Sequence, residues 1–116
     1  MKPASAKQKG ANFQKQIRQM ILEVIQLEDD DVLSRSMGAN GEDIMLSPAA
    51  RKLFPYSVEC KRTERLNLNS SWEQAVANSG KYQPLLFSKR NRKPAVVTLS
   101  AEHFFELIKE LLDRRK

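Results

Sequence analysis

Gly41-Glu42-Asp43-Ile44-Met45-Leu46 and, after a loop opened by Ser47-Pro48, Tyr56-Ser57-Val58-Glu59-Cys60-Lys61 form the stretch on which the reading of this chain turns. Each flank has the composition of a short strand, and the proline-bearing segment between them predicts a hairpin with a long loop. Side chains alternate across a strand, so Ser57, Glu59 and Lys61 share one face while Val58 and Cys60 share the other. By the same alternation Asp43 and Met45 oppose Ile44 and Leu46. With the apolar faces together, Asp43 and Glu59 converge and Lys61 stands beside them. Two carboxylates suit a hard divalent cation, and Mg²⁺ is held by one or two of them plus waters and phosphate oxygens. A lysine adds positive charge where a hydroxide is generated or an oxyanion develops. The expected catalytic set is Asp43, Glu59 and Lys61, with Asp43 and Glu59 as ligands of Mg²⁺, for which Mn²⁺ can substitute. Plainer readings exist: Asp43 as an ordinary turn acid after Gly41, and Glu59 with Lys61 as a solvated cross-strand face.

Around this stretch the elements alternate. A helix is expected from about Ala11 to Leu27, with Phe13, Ile17, Met20, Ile21 and Val24 as one apolar stripe. Asp31–Ser36 reads as a first strand, and 37–41 as a turn with glycines available for positive φ. Ser47-Pro48 followed by Ala49-Ala50-Arg51-Lys52 predicts a helical turn inside the hairpin loop. A second long helix is expected to start near Ser70 or Ser71, bury Trp72, Ala75, Val76 and Ser79, and stop at Asn78-Ser79-Gly80. Pro84–Ser88 and Pro94–Leu99 read as compact strands. Ser100 then caps a final helix whose Phe104, Ile108, Leu111 and Leu112 are expected to face the core. The resulting order is αβββαββα, an α/β (mixed α+β) domain with a central mixed sheet of about five strands flanked by helices.

Length and composition set the frame. At 116 residues the chain fits one domain. We expect residues 1–9 to form a flexible basic arm, with Gly10 a breaker, and 10–116 a single domain. Lysine and arginine number 20 against 14 acids, a net charge of +6, so an anionic partner is plausible. The bases cluster: Lys9, Lys15 and Arg18 precede any acid, and Lys89, Arg90, Arg92 and Lys93 form an acid-free run that either grips phosphates or is a solvated hairpin tip. Glu28-Asp29-Asp30-Asp31 reads as a solvated turn. The single cysteine, Cys60, excludes an intramolecular disulfide framework and reads as a structural thiol in a reducing compartment. The apolar runs are too short for a membrane span. The expectation is an intracellular, cytoplasmic protein with no membrane or small-molecule cofactor. His103, the only histidine, lies far from the motif in sequence, and Trp72 reads as core rather than a base-stacking platform.

That order, with Asp43 opening one strand and Glu59-Cys60-Lys61 ending the next, resembles the PD-(D/E)XK nuclease superfamily, whose core is restriction-endonuclease-like. More narrowly, the chain is similar to the small Holliday junction resolvases of archaea and bacteriophages. The matching pieces are Lys9-Gly10-Ala11-Asn12-Phe13, Arg35-Ser36-Met37-Gly38, Asp43 and Glu59-Cys60-Lys61. The spread from Gly41 to Leu53 is most like the phage-encoded branch, which implies the cytoplasm of a bacterial host. The resemblance covers about Lys9 to the end. It implies a homodimer that hydrolyses phosphodiesters of four-way DNA junctions, with Leu66, Leu68, Phe54 and Tyr56 as candidates for a shared apolar patch.

The resemblance departs at Gln14, where the family usually has a glutamate on the first helix. A glutamine carbonyl can still accept a bond from water beside the ion, without charge. In similar nucleases a glutamine near the place of Gln74 orients substrate or water, although Gln74 also fits a solvent-facing helix position. Gln14 and Gln74 therefore join the catalytic candidates. Lys9, Lys15, Arg35, Ser36, Arg62, Lys89, Arg90, Arg92 and Lys93 are the candidates for DNA contact, by shape and backbone charge and with steep salt dependence. Arg35 and Ser36 fit a strand end equally well. Three readings compete: a junction-resolving endonuclease, another PD-(D/E)XK nuclease for nicking or repair of linear or damaged DNA, and a DNA-binding protein with weakened chemistry.

Overall fold

The computed structural model describes residues 5–36 and 41–116. The turn expected at 37–41, and the Met37-Gly38 end of the matched motif, therefore fall largely outside the described residues. Helix α1 (Ala6–Ile25) begins five residues earlier than expected. Ser5 supplies the cap, its side chain accepting from the Gln8 N–H at 3.1 Å, and this carries the helix through Gly10. An interior glycine costs only about 1 kcal/mol, so the cap decides where the helix starts. Residues 6–9 of the expected arm are thus helical. The buried stripe is Phe13, Gln14, Ile17, Ile21 and Leu22. Met20 and Val24, expected inside, are 51% and 80% exposed.

A 3₁₀ turn at Asp29–Asp31 leads into β1 (Val32–Ser34), shorter than the expected strand, which pairs antiparallel with β2 (Ile44–Leu46). Arg18 ties this corner to α1, donating to the carbonyls of Val32 and Asp29 at 2.6 Å each. Ser47 and Pro48 open the short α2 (Pro48–Leu53), as the sequence predicts. The Ser47 hydroxyl accepts from the Ala50 N–H at 3.1 Å and donates to Asp31 Oδ1 at 2.6 Å. Removing both bonds by Ser47→Ala is expected to cost about 1–2 kcal/mol. Urea unfolding measures it, and an unchanged midpoint would show that the cap is idle.

Strands β3 (Tyr56–Arg62) and β4 (Gln83–Lys89) run parallel, joined by the crossover helix α3 (Leu68–Ser79), and β5 (Val96–Thr98) pairs antiparallel with β4. Helix α4 (Ala101–Arg114) follows. The result is the expected mixed α+β domain of five strands and flanking helices, its order αββαβαββα once the predicted turn is counted as α2, with the strands divided between a two-stranded and a three-stranded sheet rather than one sheet of five. The reason lies at Asp43. Its N–H donates to the Val58 carbonyl at 2.8 Å, but the next β3 donor, Cys60 N–H, goes to the Asp43 side chain at 2.7 Å. A carboxylate occupies the place of a ladder carbonyl, and α2 then draws the chain away from β3.

One face of the three-stranded sheet packs against α1, where Phe13, Ile17, Ile21, Val32, Ile44, Ala50 and Val58 form the core with Cys60 and Phe87 against it. The other face lies under α3, whose small residues Ser71, Ala75 and Ser79 are its buried ones. Val76, expected inside, is exposed, and Trp72 is only partly buried. With both faces covered, no residue of α4 is buried, so Phe104, Ile108, Leu111 and Leu112 do not face the core. The rings of Phe54 and Tyr56 meet tilted at a centroid distance of 4.8 Å, but Leu66 lines a separate cavity at the other end of β3, so the four expected patch residues are split. Among the described residues no helix is long and apolar enough to cross a membrane.

Candidate active site

Glu59 lies in the middle of β3 and is 2% exposed, an extreme position for a carboxylate. Its register partner on β4 is Leu86, itself fully buried, so desolvation is the dominant influence on the group. Burial pushes Glu59 up to about 7. The Asn78 amide works against this, donating to Glu59 Oε1 at 2.7 Å, while the nearby Asp43 charge pushes the same way as burial. Asp43 also stands above the usual carboxylate range, raised by burial and partly relieved by the Cys60 N–H. The two carboxyl groups come within hydrogen-bonding reach of each other, so the convergence expected from strand alternation is present. Lys61, two residues along the same face, lies close enough for its charge to ease the ionisation of both.

The neighbours divide into those that hold the carboxylates and those that only frame them. Arg35 donates to the Glu42 carbonyl at 2.6 Å, and its backbone N–H to the Asp43 carbonyl at 2.7 Å, which places its charge beside Asp43. The chain makes room with Gly41 at φ +98°, where a Cβ would lie 3.4 Å from the Arg35 guanidinium. Ser36 is exposed next to it. Glu42, adjacent to Asp43 in sequence, is taken out of the site by an ion pair with Arg51. Arg51 also donates to the Tyr56 carbonyl at 2.7 Å and lies over the Tyr82 ring. Cys60 is half-buried against the core with its thiol ionisation pushed up by burial, as suits a structural thiol.

Asn78 is the residue that sequence reasoning missed, having been read only as part of a helix stop. Gln74 sits one helical turn before it, exposed and without a hydrogen-bond partner among the described residues. Gln14 is 5% exposed on the inner stripe of α1. His103 lies on α4, its ring 2.6 Å from the Tyr56 hydroxyl.

The expected basic residues are partly gathered. Asn91, at the β4–β5 tip, accepts from Lys9 at 3.3 Å and from Arg62 at 2.5 Å, and its N–H donates to Glu64 at 2.7 Å. Lys89 donates to the carbonyls of Arg90 and Lys93 at 3.2 and 2.8 Å, closing the tip around Arg92, whose φ is +60°. Lys9, Arg62, Lys89, Arg90, Arg92 and Lys93 thus wrap the end of the sheet, while Lys15 is exposed on α1. A cavity of about 590 Å³ opens there, with Ser88 and Val96 in its wall. Ser88 is paired with both Lys61 and Val96, so the cavity continues the face that carries Glu59 and Lys61.

Among the described residues no group of three or more His, Cys, Asp and Glu could hold a metal. The residues that could hold an ion are the pair Asp43 and Glu59, a donor set that fits a hard divalent ion taking its remaining oxygens from water and phosphate. Two desolvated carboxyls facing each other are relieved by such a charge. Asn78→Ala removes a bond that orients Glu59, and outer-shell losses of this kind cost about 10-fold or more in metal affinity. A Mg²⁺ titration is expected to show that loss, with CD confirming the fold. An unchanged midpoint would make Asn78 a helix residue only.

A family model described as "phage putative PDDEXK endonuclease" matches residues 5–116. No curated protein and no solved structure matches the chain.

Proposed function

The chain belongs to the phage PDDEXK endonuclease family, and on that premise we propose that it is a Mg²⁺-dependent enzyme that resolves four-way DNA junctions by paired phosphodiester hydrolysis. The observation that carries this reading is the meeting of Asp43 and Glu59 beside Lys61 on the buried face of β3. A divalent ion bound there supplies Lewis acidity, which lowers the pKa of a water and steadies the phosphate.

The protein's own part follows from the geometry. Asp43 is fixed by the Cys60 N–H and Glu59 by the Asn78 amide, so neither carboxylate needs to reorganise. Lys61 offsets charge as it develops on the phosphate oxygens. Arg62, Lys89, Arg90, Arg92 and Lys93 give the backbone a positive track that starts from the site, and Lys9 extends it at the α1 terminus. Such a track binds by charge and shape, without reading base edges. Symmetric cutting of a junction calls for two sites at fixed separation, which a two-fold dimer provides.

Gln14 favours one other reading, a junction-binding protein with weakened chemistry, because a buried neutral amide stands where the family usually has a carboxylate. The deciding experiment is cleavage of a labelled four-way junction and a matched linear duplex, each in Mg²⁺, in Mn²⁺ and in chelator. Paired cuts in the junction alone, dependent on metal, are expected. Cutting of both substrates alike would replace the resolvase reading with a general nuclease. Tight junction binding without cutting in either metal would establish the weakened protein.

A further inference from the structure

Among the described residues, helix α4 is the one long helix with no buried residue. At 100° per residue, Phe104, Phe105, Leu107, Ile108, Leu111 and Leu112 fall within about 160° of its circumference, a face broad enough for a core helix. Yet no residue of α4 is buried, and Phe105, Leu111 and Leu112 are 67%, 46% and 51% exposed. The same chain carries an apolar groove of about 340 Å³ between α1 and the sheet, with Met20, Val24, Phe54, Leu85, Phe87 and Val97 in its wall. Tyr56 is the polar member of that wall, and its hydroxyl is already engaged with His103. These are the α1 positions that the fold unexpectedly leaves exposed.

The helix does not fill its own groove. The Tyr56–His103 contact holds its first turn beside the groove, which Leu107 helps to line, while Phe104, Phe105, Leu111 and Leu112 of the apolar arc stay exposed. We infer that the occupant is a second copy: the α4 ridge of each protomer seats in the α1–sheet groove of the other, reciprocally about a two-fold axis. Ridge and groove belong to one chain, so a closed, self-complementary pair satisfies both at once. The area is sufficient. A 14-residue helix is about 21 Å long and about 10 Å across, so burying half its girth covers roughly 330 Å². Ridge and groove on both copies then bury about 1,300 Å² in total, within the range of stable interfaces. Exposed apolar faces of this extent are uncommon on monomers.

This deepens the dimer invoked above by naming its surface, and rests on that reading only for the use to which the pair is put. The test is therefore made without DNA and in chelator: sedimentation equilibrium of the full chain, of Leu112→Glu on the ridge and of Val24→Glu in the groove. Both positions are solvent-exposed within the protomer, so folding should survive, with CD as the check. The wild type is expected to be dimeric at micromolar concentration, and each variant to raise the dissociation constant about 100-fold or more by burying an unpaired charge. Mixing Leu112→Glu with Val24→Arg should recover a heterodimer, since one of its two ridge–groove contacts is intact. A monomeric wild type overturns the inference. So does a dimer that survives Leu112→Glu, and one that survives Val24→Glu while lost in Leu112→Glu means helix-to-helix pairing instead. A wild-type dimer that both substitutions break as expected, but that does not cleave junctions in Mg²⁺, would retire the resolvase reading and leave this interface standing.

Discussion

Asp43→Asn is expected to lower junction cleavage at saturating Mg²⁺ by at least about 10³-fold, equivalent to roughly 4 kcal/mol of transition-state stabilisation. Among the described residues two carboxylates converge at the proposed site, so neutralising one halves its anionic charge. The loss should not come from unfolding. An amide oxygen can still accept the Cys60 N–H that holds β3 to this segment, and the substitution removes a charge that now opposes Glu59. Metal-free stability of the variant at pH 8 should match or exceed that of the wild type. Cleavage within about tenfold of wild type in a folded variant would remove Asp43 from the machinery.

The second large effect concerns the metal-free protein and pH. Glu59 titrates at about 7 in the folded chain against an ordinary value of 4.5. Its folded-state value is raised, so below about 4.5 both folded and unfolded chains hold the proton and stability is at its fullest. Between 4.5 and 7 the unfolded chain releases it while the fold keeps it, and above 7 the whole difference has been lost. The shift corresponds to about 3 kcal/mol. Urea unfolding in chelator should therefore give lower stability at pH 8 than at pH 5, and Glu59→Gln should flatten that slope. Mg²⁺ should restore the wild type at pH 8 and leave Glu59→Gln little changed. An identical pH slope in wild type and variant would show that Glu59 is solvated in the native state.

These expectations rest on a face that was legible before any coordinates. Alternation along Ser57-Val58-Glu59-Cys60-Lys61 assigns the carboxylate and the lysine to one side, and the order of elements supplies Asp43 as their partner. Local signals also placed Ser47, Pro48 and Ser100 at helix starts. What escaped was decided by tertiary register. Nothing in Ala77-Asn78-Ser79-Gly80 says that Asn78 reaches Glu59, because that depends on how α3 is phased against β3. Met20 and Val24 carry the same periodicity as Ile17 and Ile21, and only the tertiary packing against α1 separates exposed from buried. In α4 periodicity correctly finds an apolar face but cannot say which molecule covers it. The single-sheet expectation failed for a chemical reason: the Asp43 side chain took a hydrogen bond that a ladder would have used.

The parallel pairing of β3 with β4 also sets an order of events as the chain is made. Parallel neighbours cannot meet through a tight turn, and here the connection is the whole of α3. Asp43 and Glu59 are both synthesised before Asn78, and β3 has no hydrogen-bonded sheet neighbour until Gln83–Lys89 arrives. Loop-closure entropy is met before such distant contacts repay it. A truncated or nascent chain ending before Gln83 therefore carries the acidic pair without the scaffold that buries and aligns it. On the proposed reading, catalytic competence arrives only once β4 has been made, as a property of the assembled sheet rather than of its motif.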